Sequence, residues 1–287
     1  MTVSVSIDGN SLRIVSSSGK KIDKWDSVDF EPKLMREGSI VDTAAMGKVL
    51  KEALTERKLS TKNVRWALPS VGISSQVLTL PQVKKGSLEA TIQREARKVL
   101  SVSPETSHLY WQMLPDTESE RRVYAVAIPR EMIQSLIQTC QGAGVTIGSI
   151  DLKSLALARA VNQKDAIIAH GETNSVEMVI MLDSVPSLMR GIWLREKDLD
   201  TGRLTALLLQ QLASTMEYYN DMNRTNPLSS SVAIYLTGEA TLNPELAQRV
   251  STLSGRTVAP LEPPVSYPAH FPVALYMANL GLILKSS

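Results

Sequence analysis

Apolar and polar residues alternate over residues 3–8 and again over 11–15, with Gly9 and Asn10 between them, which predicts a β hairpin at the start of the chain. Further on, Ala45, Met46, Val49, Leu50, Ala53 and Leu54 recur at helical spacing with charges on the other face, an amphipathic helix fit to cover a sheet. Strands are expected at 64–68 and 75–80, a helix over 87–100, and two strands at 108–114 and 122–128 around a polar loop at 116–121. A helix over 130–141 places Met132, Ile133, Leu136, Ile137 and Cys140 on one side and ends at Gly142 and Gly144, which suit left-handed positions. Residues 75–146 thus read β-α-β-β-α, a compact unit of their own.

After a helix near 152–161 the β-rich pattern restarts at 166–169, 175–182 and 187–194. Leu204, Leu207, Leu208, Leu212, Met216 and Tyr219 mark a long amphipathic helix, and 232–236 reads as a strand. The next helix has Asn243 as its expected N-cap, Pro244 at its first position and Gly255 beyond its end. A proline-rich stretch over 260–272 leads to a final helix over 273–284. The repeat of a β-first pattern predicts an α/β protein of two related lobes, 1–165 and 166–287, with a cleft between them.

Composition narrows the function. With 287 residues and 43% apolar content the chain can bury a large core. Its 31 basic and 29 acidic residues are interspersed, so no field favours a polyanion and nucleic acid is not expected as a partner. The opening MTVSVSIDGNSLRIV lacks a basic segment followed by an apolar one, and no apolar run reaches the ~20 residues of a membrane helix, so an intracellular chain without direct membrane insertion is expected. The single cysteine, Cys140, falls on an apolar helix face and reads as an inert core thiol.

No HExxH, CxxC, GxSxG or complete Walker A pattern occurs. His108, His170 and His270 lack metal-ligand spacing and read as ordinary histidines, so neither a metal nor a catalytic residue is expected. Ser17 and Lys20 form an isolated SxxK spacing without the third group such chemistry needs. An unrelated α/β enzyme finds no motif in its favour.

Three stretches carry a resemblance: WALPSVGISSQVLTLP, then SLEATIQREARKVLSVSPETSHLYWQML, then VYAVAIPREMIQSLIQTCQGAGVTIGSIDLKSLALARAV. In order and spacing over about residues 60–160 they resemble the PilM family, actin-like cytoplasmic proteins of type IV pilus assembly related to FtsA. The resemblance implies an actin/Hsp70-like (ribonuclease H-like) fold, with the β-α-β-β-α unit inserted in the first lobe and the last helix returning to it. It also implies ATP and Mg²⁺ held between two hairpin loops, one per lobe, with a glycine-rich loop for the adenosine. The residues in those places are Asp8, Gly9, Asn10 and Ser11, then Gly171 and Thr173, then Gly238.

Each place departs from the family pattern. The first loop is about two residues shorter than DIGSSSIK, which leaves fewer N–H groups for phosphate. In the second, Ala169 stands where a DIGAST-type loop has its Asp. Glu172 would add repulsion of about 1 kcal/mol against a phosphate ~4 Å away. Lys153 replaces a carboxylate of the connecting helix, and in LTGEA Glu239 and Ala240 would crowd the base or ribose. The expected function is therefore a scaffold without ATP hydrolysis, at the inner face of the cell membrane through a partner. By resemblance that partner is the cytoplasmic N-terminal peptide of a PilN-like membrane protein, docked in a groove beside the inserted unit, with pilus motor ATPases as further contacts. The alternative is an active member whose nucleotide state regulates partner binding.

Overall fold

The computed structural model describes residues 1–81, 85–115, 120–194 and 200–285. Most of the loop expected at 116–121 lies outside them. The chain opens with strands β1 (Thr2–Asp8), β2 (Ser11–Ser18) and β3 (Lys21–Asp29), a small ribbon of β4 (Met35–Arg36) and β5 (Ser39–Ile40), then helix α1 (Thr43–Glu56) and strand β6 (Val64–Leu68). There follow β7 (Ser74–Pro81), α2 (Leu88–Leu100), β8 (Ser107–Met113), β9 (Glu120–Pro129), α3 (Arg130–Ala143), β10 (Ile147–Leu152) and α4 (Lys153–Val161). The remaining elements are β11 (Ala166–Glu172), β12 (Ser175–Leu182), β13 (Val185–Trp193), α5 (Thr201–Met222), β14 (Ile234–Thr237), α6 (Leu246–Ser254) and α7 (Met277–Ile283).

Three main sheets result, with strand orders β10-β6-β1-β2-β3, β13-β12-β11-β14 and β7-β9-β8. In the first, β1 runs antiparallel to β2 and parallel to β6, and all but its first residue are buried, because helices cover both faces. The second repeats this arrangement: β11 is antiparallel to β12 and parallel to β14.

The third sheet packs Leu78, Leu80, Val123, Ala125 and Ala127 against Ile92, Ala96 and Leu100 of α2, a core of its own. Helix α3 instead contributes Met132, Leu136 and Cys140 to the large core of the first sheet. Its Thr139 backbone lies 3.1 Å from where a Cβ on Gly47 of α1 would sit, so α1 and α3 cross closely. Helix α7 packs on α4, β1 and β6, and a Cβ at Gly281 would collide with the Ala156 backbone of α4.

Several boundaries differ from the sequence reading. Strand β3 is an edge strand whose polar residues hid it, and β10 precedes α4 where only a helix was expected. Gly142 lies within α3, and Gly144 alone takes the left-handed cap, at φ 69°. Helix α6 starts at Leu246 rather than after Asn243. Asn243 instead ends a 3₁₀ turn, accepts from the Glu245 N–H at 3.0 Å and donates to Thr205 on α5 at 2.9 Å. Gly255 caps α6 in the left-handed conformation, as expected.

Candidate functional site

The β1–β2 and β11–β12 hairpins turn toward each other and touch. Asp8 pairs with Ser11 across Gly9 and Asn10, and Glu172 with Ser175 across Thr173 and Asn174. Gly9 takes φ +57°, and a Cβ there would lie 2.7 Å from Thr173 Oγ1. Asn174 Nδ2 donates to the Gly9 carbonyl at 2.7 Å and to Asn10 Oδ1 at 3.3 Å, so one side chain joins both turns.

Behind the turns lies a buried network of charges. Arg13 reaches from β2 and donates through Nη1 and Nη2 to the two oxygens of Glu172, at 2.7 and 2.8 Å. The same guanidinium reaches the Leu275 carbonyl at 2.8 Å and Glu239 at 3.3 Å. Lys153 donates to the Ile7 carbonyl at 2.6 Å, lies 2.8 Å from Asp8 and 3.8 Å from Glu177. His170 sits between Asp8 and Glu172, with Nε2 3.3 Å from an oxygen of each and Nδ1 2.9 Å from Thr237 Oγ1. Glu177 accepts from Ser154 Oγ at 2.9 Å and from the Ser70 N–H at 3.1 Å, which ties β12 to α4 and the β6 exit. Asp8, Arg13, Lys153, His170, Glu172 and Glu177 are all buried.

These charges are held by one another. Burial alone would push Asp8 up, but Lys153, Arg13 and His170 outweigh it and hold the carboxyl well below its usual value. Burial would likewise lower Lys153 and Arg13, and their carboxylate partners raise both. Glu239, at the rim, is raised by burial and by Glu172 against the pull of Arg13. Lys153 is the first residue of α4, where the helix dipole disfavours a cation. The carboxylates opposite and the Ile7 carbonyl hold the lysine there.

The residues expected in the nucleotide loops come together at this junction. Ser11 donates to Asp29 at 2.6 Å. Gly171 is a packing glycine, since a Cβ there would lie 2.8 Å from both Ala240 and Leu208. A Cβ on Gly238 would lie 2.5 Å from the Gly171 carbonyl oxygen, and Ala240 is fully buried. Glu172 is not a bare negative charge, because Arg13 binds it. Ser17 is buried while Lys20 is exposed in the turn beyond, which leaves the SxxK spacing without chemistry. Cys140 is buried, its thiol pushed up to about 12 by desolvation, as an inert core residue requires.

Sequence reasoning missed Arg13, Glu177 and the centrality of His170. His270 is exposed against Trp25 and His108 lies on β8, whereas His170 meets carboxylates from β1 and from its own strand that no linear spacing reveals.

A second feature lies on the far side of β10. Tyr110, Val126, Ile128, Ile133, Ile150 and Leu155 line a largely apolar groove of about 260 Å³ between the third sheet, α3, β10 and α4. At its edge Asp151 is paired with Arg159 at 3.0 Å and Lys285 at 3.3 Å. Both β8 and β10 are edge strands, so the groove runs between two sheet edges. Among the described residues no helix is long and apolar enough to cross a membrane.

Comparison with known proteins gives this geometry a context. No curated protein matches the chain. Among solved structures, the PilM–PilN type IV pilus biogenesis complex matches with a TM-score of 0.80 at 19% identity, over 99% of this chain and 97% of that one. The ethanolamine utilization protein EutJ from Carboxydothermus hydrogenoformans matches with a TM-score of 0.56 at 13% identity, over 99% and 89%. The cytoplasmic domain of EpsL, an inner membrane component of the type II secretion system of Vibrio cholerae, matches with a TM-score of 0.52 at 9% identity, over 99% and 98%. The fold is actin-like, in agreement with the sequence reading. The model of the type IV pilus assembly protein PilM matches residues 5–198, more than half of the chain, and the protein belongs to that family.

Proposed function

We infer that the protein is a scaffold of a type IV pilus assembly platform that binds the N-terminal segment of a PilN-like inner-membrane protein and does not hydrolyse ATP. The observation that carries the reading is the apolar groove flanked by the edge strands β8 and β10. An extended peptide laid there gains backbone hydrogen bonds from an edge and buries alternate side chains against Ile128, Ile133 and Leu155. The likeness to a PilM–PilN complex over nearly the whole chain supports this choice of partner. Held by that partner, the chain would sit at the inner face of the membrane without entering it.

The cleft residues do not fit ATP and Mg²⁺. The hairpin turns meet directly through Asn174, and four carboxylates, Asp8, Glu172, Glu177 and Glu239, face two cations, Arg13 and Lys153, already bound to them. Four carboxylates outnumber the two cations, so a triphosphate would meet like charge in a low-dielectric setting.

The test is calorimetric titration of the full chain with a synthetic N-terminal peptide of the PilN-like protein, against Ile150→Asp and Tyr110→Ala variants. Saturable one-to-one binding, weakened at least tenfold by Ile150→Asp, is expected. Wild-type-like binding by that variant would place the peptide elsewhere, and no binding would reject the partner.

A further inference from the structure

The geometry points to a site for a divalent transition-metal ion of the zinc type, bound without nucleotide by Asp8, His170 and Glu172 at the junction of the two hairpins. The three residues come from β1 and β11, are buried, and offer one nitrogen and two carboxylate oxygens within 4.8 Å of one another. His170 Nε2 lies 3.3 Å from an oxygen of each acid without a well-aligned hydrogen bond to either. A tetrahedron with metal–ligand bonds of about 2.0–2.1 Å has edges of about 3.3 Å, so both separations suit shared coordination.

The surroundings supply what such a site needs. Thr237 Oγ1, 2.9 Å from Nδ1, can accept the proton of that nitrogen and leave the Nε2 lone pair aimed between the carboxylates. Arg13 on Glu172 and Lys153 on Asp8 orient the two acids from behind. Glu239, with a quarter of its side chain exposed, marks the way in from solvent. Three protein donors leave a fourth position to water. The imidazole donor and the burial of all three residues favour an ion of this kind over Mg²⁺, which keeps several waters and prefers oxygen. A bound ion would join the strand that opens the first sheet to the strand that opens the second.

The experiment uses the full chain, free of any affinity tag and stripped with chelator, titrated with Co²⁺ and Zn²⁺. One equivalent of Co²⁺ giving the intense visible bands of a four-coordinate ion, displaced by Zn²⁺, is expected. At a hundredfold excess over Kd, Zn²⁺ should raise Tm by about 4–5 °C, with no such rise from Mg²⁺. The His108→Gln/His270→Gln double variant leaves His170 as the only imidazole and should bind unchanged, whereas His170→Gln should lose the bands. Loss of binding in the double variant would assign the ion to the surface. Absence of a stoichiometric cobalt spectrum, or an equal effect from Mg²⁺, would overturn the site even if His170→Gln does not fold. None of these outcomes depends on peptide binding in the groove.

Discussion

Replacing Arg13 with alanine should be among the most damaging single changes in the protein. Glu172 is fully buried, and both of its oxygens accept from the Arg13 guanidinium at 2.7 and 2.8 Å. Deleting one partner of such a pair leaves an uncompensated buried charge and costs about 3–5 kcal/mol. For a chain of 287 residues the unfolding entropy is about 0.6 kcal/mol/K, so Tm should fall by about 5–8 °C. The assay is thermal and urea denaturation in chelator, with Arg13→Ala beside an Arg13→Met/Glu172→Leu double variant. The double variant removes both charges and should recover most of the loss, because apolar residues of similar volume substitute well for a buried pair. Arg13 also joins β2 to β11 and to the Leu275 carbonyl, so Arg13→Ala should speed amide exchange at Gly9 and Asn174. A loss below about 1 kcal/mol, or a double variant no more stable than the single, would refute the reasoning.

Other outcomes follow from the same geometry. Gly281→Ala should destabilise by about 1–3 kcal/mol or more in denaturation, since the added Cβ meets the Ala156 backbone. Gly142→Ala, within α3 and with nothing near its Cβ position, should instead stabilise by about 0.5–1 kcal/mol. Cys140, raised to about 12 in the folded protein, should resist a thiol reagent at neutral pH until the chain unfolds. An unfolded thiol loses its proton near pH 8.5 and the folded one does not. The contribution of Cys140 to stability is therefore full below that pH and falls by about 1.4 kcal/mol per unit as pH rises from there toward 12. Cys140→Ala should lack that slope in alkaline denaturation curves.

The sequence disclosed the fold through periodicity. The β1–β2 hairpin, α1, the β7–α2–β8–β9–α3 order and the restart at β11 all follow from spacing of apolar residues, because each of these elements buries one clear face. Strand β3 escaped because an edge strand can carry Asp23, Lys24 and Asp26 without burying them. The site was visible only in outline. Sequence reasoning singled out Ala169, Lys153 and Glu239 but could not reveal that the charges there answer one another. Arg13 and Glu172 are far apart in the chain and meet only when two sheets pack, as do Lys153 and Asp8. A lysine at a helix N-terminus was the one local signal that an acid had to lie opposite.

The most direct measurement is the affinity of the full chain for the PilN-like N-terminal peptide, determined by calorimetry with and without millimolar ATP·Mg²⁺. A scaffold whose cleft is filled by its own charges should give one Kd, unchanged within about twofold by the nucleotide and unaccompanied by a shift in Tm. A tenfold change in Kd, worth about 1.4 kcal/mol of coupling between cleft and groove, would contradict the account and restore a nucleotide-switched protein.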